Sequence, residues 1–122
     1  GMMTAAPVTI TAPGISVIDF TLPGTALYGT AAMSTNGGVR TQWSGNVVRD
    51  GSLRYTGASN DRDPILVAVG GTVPTATTTG YRVEDVNMDA VVKYTGANND
   101  RDPILVSVGG TIPTAVRMEQ LP

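Results

Sequence analysis

Residues 55–76 read YTGASNDRDPILVAVGGTVPTA, and residues 94–115 read YTGANNDRDPILVSVGGTIPTA. Nineteen of the 22 positions are identical, at an offset of 39 residues. A near-perfect internal repeat means that one structural unit is used twice. The acidic residues collect around it. Of ten in the chain, eight lie in or just before the repeats: Asp50, Asp61, Asp63, Glu84, Asp85, Asp89, Asp100 and Asp102. Carboxylates crowded in this way repel one another unless something cationic stands between them. The pattern points to a pair of hard-cation sites more than to catalysis.

Working outward, each repeat reads as a polar loop, a short apolar run and a Gly-Gly stop. The runs are Pro64 to Val69 and Pro103 to Val108. Asn-Asp-Arg-Asp ahead of Pro supplies cap chemistry, and Pro is tolerated in a first helical turn. Gly70-Gly71 and Gly109-Gly110 end the run, because Gly takes a left-handed cap at little cost. A helix of two to three turns is expected, with a short strand as the rival at this length. The two helices are expected to pack antiparallel through Ile65, Leu66, Val69, Ile104, Leu105 and Val108. Thr77 to Gly80 reads as a polar linker between copies.

The loop before the second repeat is Asp85-Val86-Asn87-Met88-Asp89-Ala90-Val91-Val92. Side-chain oxygens fall on alternate residues, the first half of a D-x-[DN]-x-[DN]-G calcium loop. Alternate residues of a tight loop face one centre, so Asp85, Asn87 and Asp89 are candidate ligands. The Val91 carbonyl would come next, and Asp100 or Asp102 would complete the shell. Ala90 stands where Gly should supply a positive φ, at a cost of about 1 kcal/mol or more. The first copy aligns Asn46, Asp50 and Ser52, followed by Asp61 and Asp63. It keeps Gly51 but has Val48, with no side-chain oxygen, at loop position 3. This predicts two calcium sites, the first weaker because it carries fewer charged ligands.

Residues 1–44 form a separate segment rich in Thr, Ala, Gly and Val. Val8–Ile10, Ile15–Phe20 and Val39–Trp43 alternate apolar and polar residues, suggesting short strands or an extended arm. Pro13-Gly14, Pro23-Gly24 and Asn36-Gly37-Gly38 read as turns. The division expected is therefore residues 1–44, β-rich or extended, and 45–122, a tandem repeat with copies at 46–77 and 85–116.

Composition narrows the function. The net charge is −2, and the eight Lys and Arg are scattered, unlike the clustered cations of nucleic-acid binders. No apolar run approaches the roughly 20 residues of a membrane span. There is no Cys and no His, which removes Cys nucleophiles, His-based triads and Cys/His zinc sites. Asp61/Asp63 and Asp100/Asp102 could be acid pairs, but nothing else suggests a sugar site. The expected protein is not an enzyme. Arg62 and Arg101 are expected in local ion pairs, and Tyr55, Tyr94 and Trp43 on the core.

Asp85-Val86-Asn87-x-Asp89 and Asn46-Val47-x-x-Asp50-Gly51, each followed by an apolar helix, resemble the dockerin domain. VKYTGANNDRDPILVSVGG, together with the closing EQLP, looks like the C-terminal dockerin-like modules of large secreted or surface-anchored bacterial proteins. The resemblance covers about residues 43–122. It implies a mostly irregular α+β fold of tandem calcium-loop-helix repeats with two short antiparallel helices. It also implies an extracellular or cell-surface setting, structural calcium, and attachment or assembly through a cohesin-like partner or a preceding domain. The alternatives are a carbohydrate-binding module, which needs exposed aromatics, and a passive spacer.

Overall fold

The computed structural model describes residues 2–10, 14 and 17–118. Ile15, Ser16 and Pro13 of the expected N-terminal strand and turn lie outside the described residues, as does the closing Glu119 to Pro122. The elements in order are β1 (Ser34–Asn36), β2 (Val39–Thr41), β3 (Ser52–Arg54), α1 (Asp63–Ala68), β4 (Thr77–Thr79), β5 (Val91–Lys93), α2 (Arg101–Val108) and β6 (Val116–Met118). They build three separate two-stranded antiparallel sheets, β1–β2, β3–β6 and β4–β5.

This corrects the expected dockerin-like fold of loop-helix repeats with two antiparallel helices. The described chain is made mostly of small β-hairpins and two short helices. The helices pack chiefly on strands: α1 on β5, and α2 on β3 and β6. The physical reason is length. A six-residue and an eight-residue helix rich in β-branched residues are too short to stand as a pair. Each is held instead by a strand of the other repeat. Thr77–Thr79 is likewise a strand and not a linker.

The arrangement is a pseudo-two-fold ring. β4 closes copy one and pairs with β5, which opens copy two; β6 closes copy two and pairs back with β3, which opens copy one. The registers correspond under the 39-residue offset. Thr79↔Val91, Thr78↔Val92 and Thr77↔Lys93 on one side match Met118↔Ser52, Arg117↔Leu53 and Val116↔Arg54 on the other. Two side-chain bonds obey the same exchange. Thr56 donates to the Pro113 carbonyl and Thr95 to the Pro74 carbonyl, both at 3.0 Å.

One core lies between the copies. It contains Val47, Leu53, Ile65, Val69, Val86, Val92, Ile104 and Val108. Leu53, Ile65, Val92 and Ile104 are completely buried. The four come as two pairs at the same offset, so each repeat contributes one strand residue and one helix residue to the centre. Tyr55, Tyr94, Leu66, Leu105 and Trp43 pack around them, half-buried.

Residues 1–44 join this core at Trp43, whose indole N–H donates to the Ala31 carbonyl at 2.8 Å. β1 and β2 form a hairpin whose two-residue loop is Gly37-Gly38, both at positive φ (57° and 82°). Positive φ at both central residues marks a type I′ turn, whose twist suits a hairpin. Val8–Ile10 lies in irregular chain, and a single bridge joins Thr4 to Leu27.

Candidate functional site

The polar loops sort their carboxylates into two kinds. Asp61 and Asp100 point inward and are completely buried. Asp61 accepts the N–H groups of Val48 at 3.0 Å and Arg54 at 2.7 Å. Asp100 accepts those of Val86 at 2.8 Å, Asn87 at 3.2 Å and Lys93 at 2.8 Å. The backbone N–H of each Asp donates to the same strand end, to Arg54 O at 2.9 Å and Lys93 O at 3.0 Å. Each buried carboxylate therefore ties the acidic loop to the exit of the following strand. Burial pushes both carboxyls above the ordinary carboxylate range, against the N–H bonds, which favour the ionised form. The charges of Asp50 and Asp85 push in the same direction as burial.

Asp63 and Asp102 face outward. Each is held by an asparagine of its own repeat, Asn60 Nδ2 to Asp63 and Asn99 Nδ2 to Asp102, both at 2.8 Å. The same asparagines accept the N–H of Asp63 and Asp102 at 2.9 Å, and donate to Gly57 O and Gly96 O. Helix entry is thus secured by Asn60 and Asn99. The residues directly preceding the helices, Arg62 and Asp100, make no side-chain cap bond. Arg62 and Arg101 pair with Asp63 and Asp102 at 3.2 and 3.6 Å, exposed contacts worth little. Their guanidinium groups lie over Tyr55 and Tyr94, 5.3 Å from each ring centroid. Arg117 covers Trp43 at 4.9 Å. These three rings rest on the core and carry an arginine on one face, so they offer no open stacking platform.

The loop of the second copy has an ordered interior. Asp85 Oδ1 and Asn87 Oδ1 both accept the N–H of Asp89, at 3.1 and 2.9 Å. Asp85 Oδ2 accepts Ala90 N–H at 2.8 Å, and Asp89 Oδ1 accepts Val91 N–H at 2.9 Å. Asp85 and Asn87 therefore meet at the Asp89 N–H, while Asp89 reaches onward to Val91, and Asp85 lines a different hollow from Asn87 and Asp89. Ala90 takes φ +69°, the left-handed conformation expected to call for Gly. A carboxylate has about four lone-pair positions, so accepting one N–H per oxygen leaves capacity for a cation. Asn87, Asp89, Asn98, Asn99 and Asp102 line one shallow hollow, which puts Asp102 on the same side as two loop residues.

The first copy is built differently. Asn46 Nδ2 donates to Asp50 O at 2.8 Å, and Asp50 Oδ1 accepts both the N–H and the hydroxyl of Ser52, at 2.7 and 2.9 Å. Asn46 Oδ1 is buried with no hydrogen-bond partner. Val48 supplies no side-chain oxygen, as the sequence indicated.

Of the ligands expected in the second copy, Asn87, Asp89 and Asp102 share one hollow, whereas Asp85 lines a separate one with Asn46 and Ala90. Asn46, Asp50, Ser52 and Asp63 make a poorer set. Asp61 and Asp100 are committed to backbone N–H groups in both copies. Among the described residues, no group of three or more His, Cys, Asp or Glu side chains is gathered closely enough to hold a metal by itself. A cation would therefore depend on Asn87 and main-chain oxygen. The cap chemistry expected of Asn-Asp-Arg-Asp falls to its first residue, Asn60 in one copy and Asn99 in the other. Their signal was visible: Asn stands three residues before Asp in both repeats, the spacing of a side chain that reaches forward to a helix entrance. No helix among the described residues is long and apolar enough to cross a membrane. Comparisons with family models, with curated proteins and with solved structures each returned no match.

Proposed function

We propose that this chain is a non-catalytic, calcium-stabilised interaction module of an extracellular protein, with its principal ion site in the second acidic loop. The observation that carries the reading is the interior of that loop. Asp85 and Asn87 converge on a single N–H, and Ala90 is held at φ +69° by a bond to Asp85. A non-Gly residue persists in such a conformation only where its surroundings over-determine it. Calcium takes six to eight oxygen ligands in a flexible shell, and water can fill positions that protein leaves open. The residues that would hold it are Asn87, Asp89 and Asp102, with Asp85 and the Val91 carbonyl turning in as the ion binds. An ion there would neutralise the loop and tie it to the entrance of α2. The extracellular setting and the attachment role follow from the sequence resemblance, and the two-helix dockerin architecture forms no part of the proposal.

The test is a thermal melt in excess EDTA and in millimolar calcium, on the wild type and on Asp85→Ala/Asp89→Ala. Binding to the native state alone raises stability with ligand concentration. The expected result is a calcium-dependent rise in Tm that the double variant loses. A folded wild type whose Tm is the same in both conditions sinks the calcium reading and leaves a spacer held by its own hydrogen bonds.

A further inference from the structure

Seven arginines stand in the chain, and five are committed to carbonyl or carboxylate partners of their own molecule. The other two, Arg49 and Arg82, have no hydrogen-bond or ion-pair partner among the described residues, and both line one hollow of about 640 Å³. We propose that this hollow is a docking site for an acidic peptide segment of a partner protein. Its carboxylates pair with Arg49 and Arg82, while a neighbouring apolar side chain lies against Tyr81 and Met88. This gives the interaction role proposed above a surface and a class of partner; it rests on that role but not on the calcium site.

The hollow lies between the two acidic loops. Asn46 and Arg49 come from the first, Asp85 and Met88 from the second, and Tyr81 and Arg82 from the segment after β4. Asn46 matches Asp85 and Arg49 matches Met88 under the 39-residue offset, so equivalent turns of the two copies confront each other across it. Its size falls within the range of ligand pockets, about 300–1,000 Å³. Its apolar side chains are unused by the fold. Tyr81 is fully exposed, and Met88 is 86% exposed. Tyr55, Tyr94 and Trp43 each carry an arginine on one face, and Tyr81 carries none. Tyr and Met are enriched at the centres of protein interfaces, where a thioether adapts to its partner.

Charge selects the occupant. Asp85 is the one acidic residue of the lining, and its two oxygens already accept the N–H groups of Asp89 and Ala90. The guanidinium groups are therefore in excess, and a guanidinium presents a planar fork that matches a carboxylate. A long polyanion is disfavoured. Asp50 and Asp89 follow Arg49 and Met88 directly in the chain, and the net charge is −2. Asn46 also lines the hollow, and its Oδ1 is a buried acceptor without a donor. A peptide brings N–H donors together with its carboxylates, whereas a phosphodiester backbone brings none.

The test selects a random-sequence decapeptide library on the immobilised full-length chain in millimolar calcium. Enriched peptides are then measured by fluorescence anisotropy on the wild type, Arg49→Ala/Arg82→Ala and Tyr81→Ala, each folded as judged by its melt. Arg62→Ala/Arg101→Ala serves as a charge-matched control. The expected result is enrichment of Asp or Glu beside an apolar residue. Binding should weaken about tenfold in Arg49→Ala/Arg82→Ala, as two exposed ion pairs imply, and severalfold in Tyr81→Ala. The control should stay within about twofold of wild type. No enrichment, enrichment without acidic residues, or an equal loss in the control overturns the proposal. So does a single-stranded DNA oligonucleotide that binds more tightly than the peptides at about 0.15 M salt and depends on the same two arginines. Should Arg49→Ala/Arg82→Ala fail to fold, Arg82→Gln alone makes the measurement. Arginine-dependent peptide binding by a chain whose Tm ignores calcium would retire the ion site and keep this one.

Discussion

Replacing Asp100 with Ala should be among the most damaging single changes to this chain. The side chain is completely buried and accepts three backbone N–H groups, from Val86, Asn87 and Lys93. Truncation leaves those donors without an acceptor. A buried unpaired donor costs about 1–3 kcal/mol. Val86 and Lys93, at 2.8 Å, carry most of the effect, while Asn87 is longer and can reach water. The expected loss is therefore about 3–5 kcal/mol, a large share of the roughly 5–15 kcal/mol that stabilises a domain. Urea unfolding followed by circular dichroism measures it directly. The loss should be the same in EDTA as in calcium, because Asp100 acts on the backbone and not through an ion. A loss below about 1 kcal/mol, or one that disappears in EDTA, would refute the reasoning. Asp100→Asn should lie between the two, since one carbonyl oxygen survives while the amide faces the Lys93 N–H donor to donor.

Other consequences are equally open to measurement. Ala90→Gly should stabilise by about 0.5–1 kcal/mol, the relief of a left-handed Ala less the chain entropy Gly adds to the unfolded state; an unchanged or lower urea midpoint would contradict it. Gly45→Ala should cost about 2 kcal/mol or more, because Gly45 has φ +99° and an added Cβ would lie 2.7 Å from Ile104 Cγ1; a Tm within a degree of wild type would show that Ile104 gives way. Burial raises the native-state pKa of Asp61 and Asp100 above the unfolded value, so the native state binds more protons from about pH 4 up to those raised values. Their contribution to stability is thus full below that window, falls as pH rises through it, and is flat above. Asp61→Asn should flatten that part of the profile, and parallel pH–Tm curves for the two proteins would refute the assignment.

The repeat announced the two-fold, and the spacing of Asp85, Asn87 and Asp89 announced the loop interior, including the positive φ at Ala90. The partition of carboxylates was not legible. Asp61 and Asp63 occupy the same motif with the same chemistry, yet one is buried under backbone donors and the other is exposed. Only the folded path of the strand before them decides which faces inward. The sheets escaped for a different reason. β3 to β6 are three residues each, too short to show an alternating pattern, and each pairs across the copy boundary. Thr77-Thr78-Thr79 looks like linker until Val91-Val92-Lys93 lies beside it. The helices were marked by Pro and Gly-Gly, but their partners were set by that same exchange of strands, which reverses the expectation that helix would pack on helix.

The two-fold ring also fixes how many repeats this architecture can hold. Each unit turns the chain by half a circle, so a third copy inserted in tandem would arrive where the first already stands. Its incoming strand would find β6 already paired, and its outgoing strand would find β3 occupied. Loss or duplication of a unit would leave one copy or three. Here either product would expose unpaired strand edges, so the repeat number is policed by folding itself.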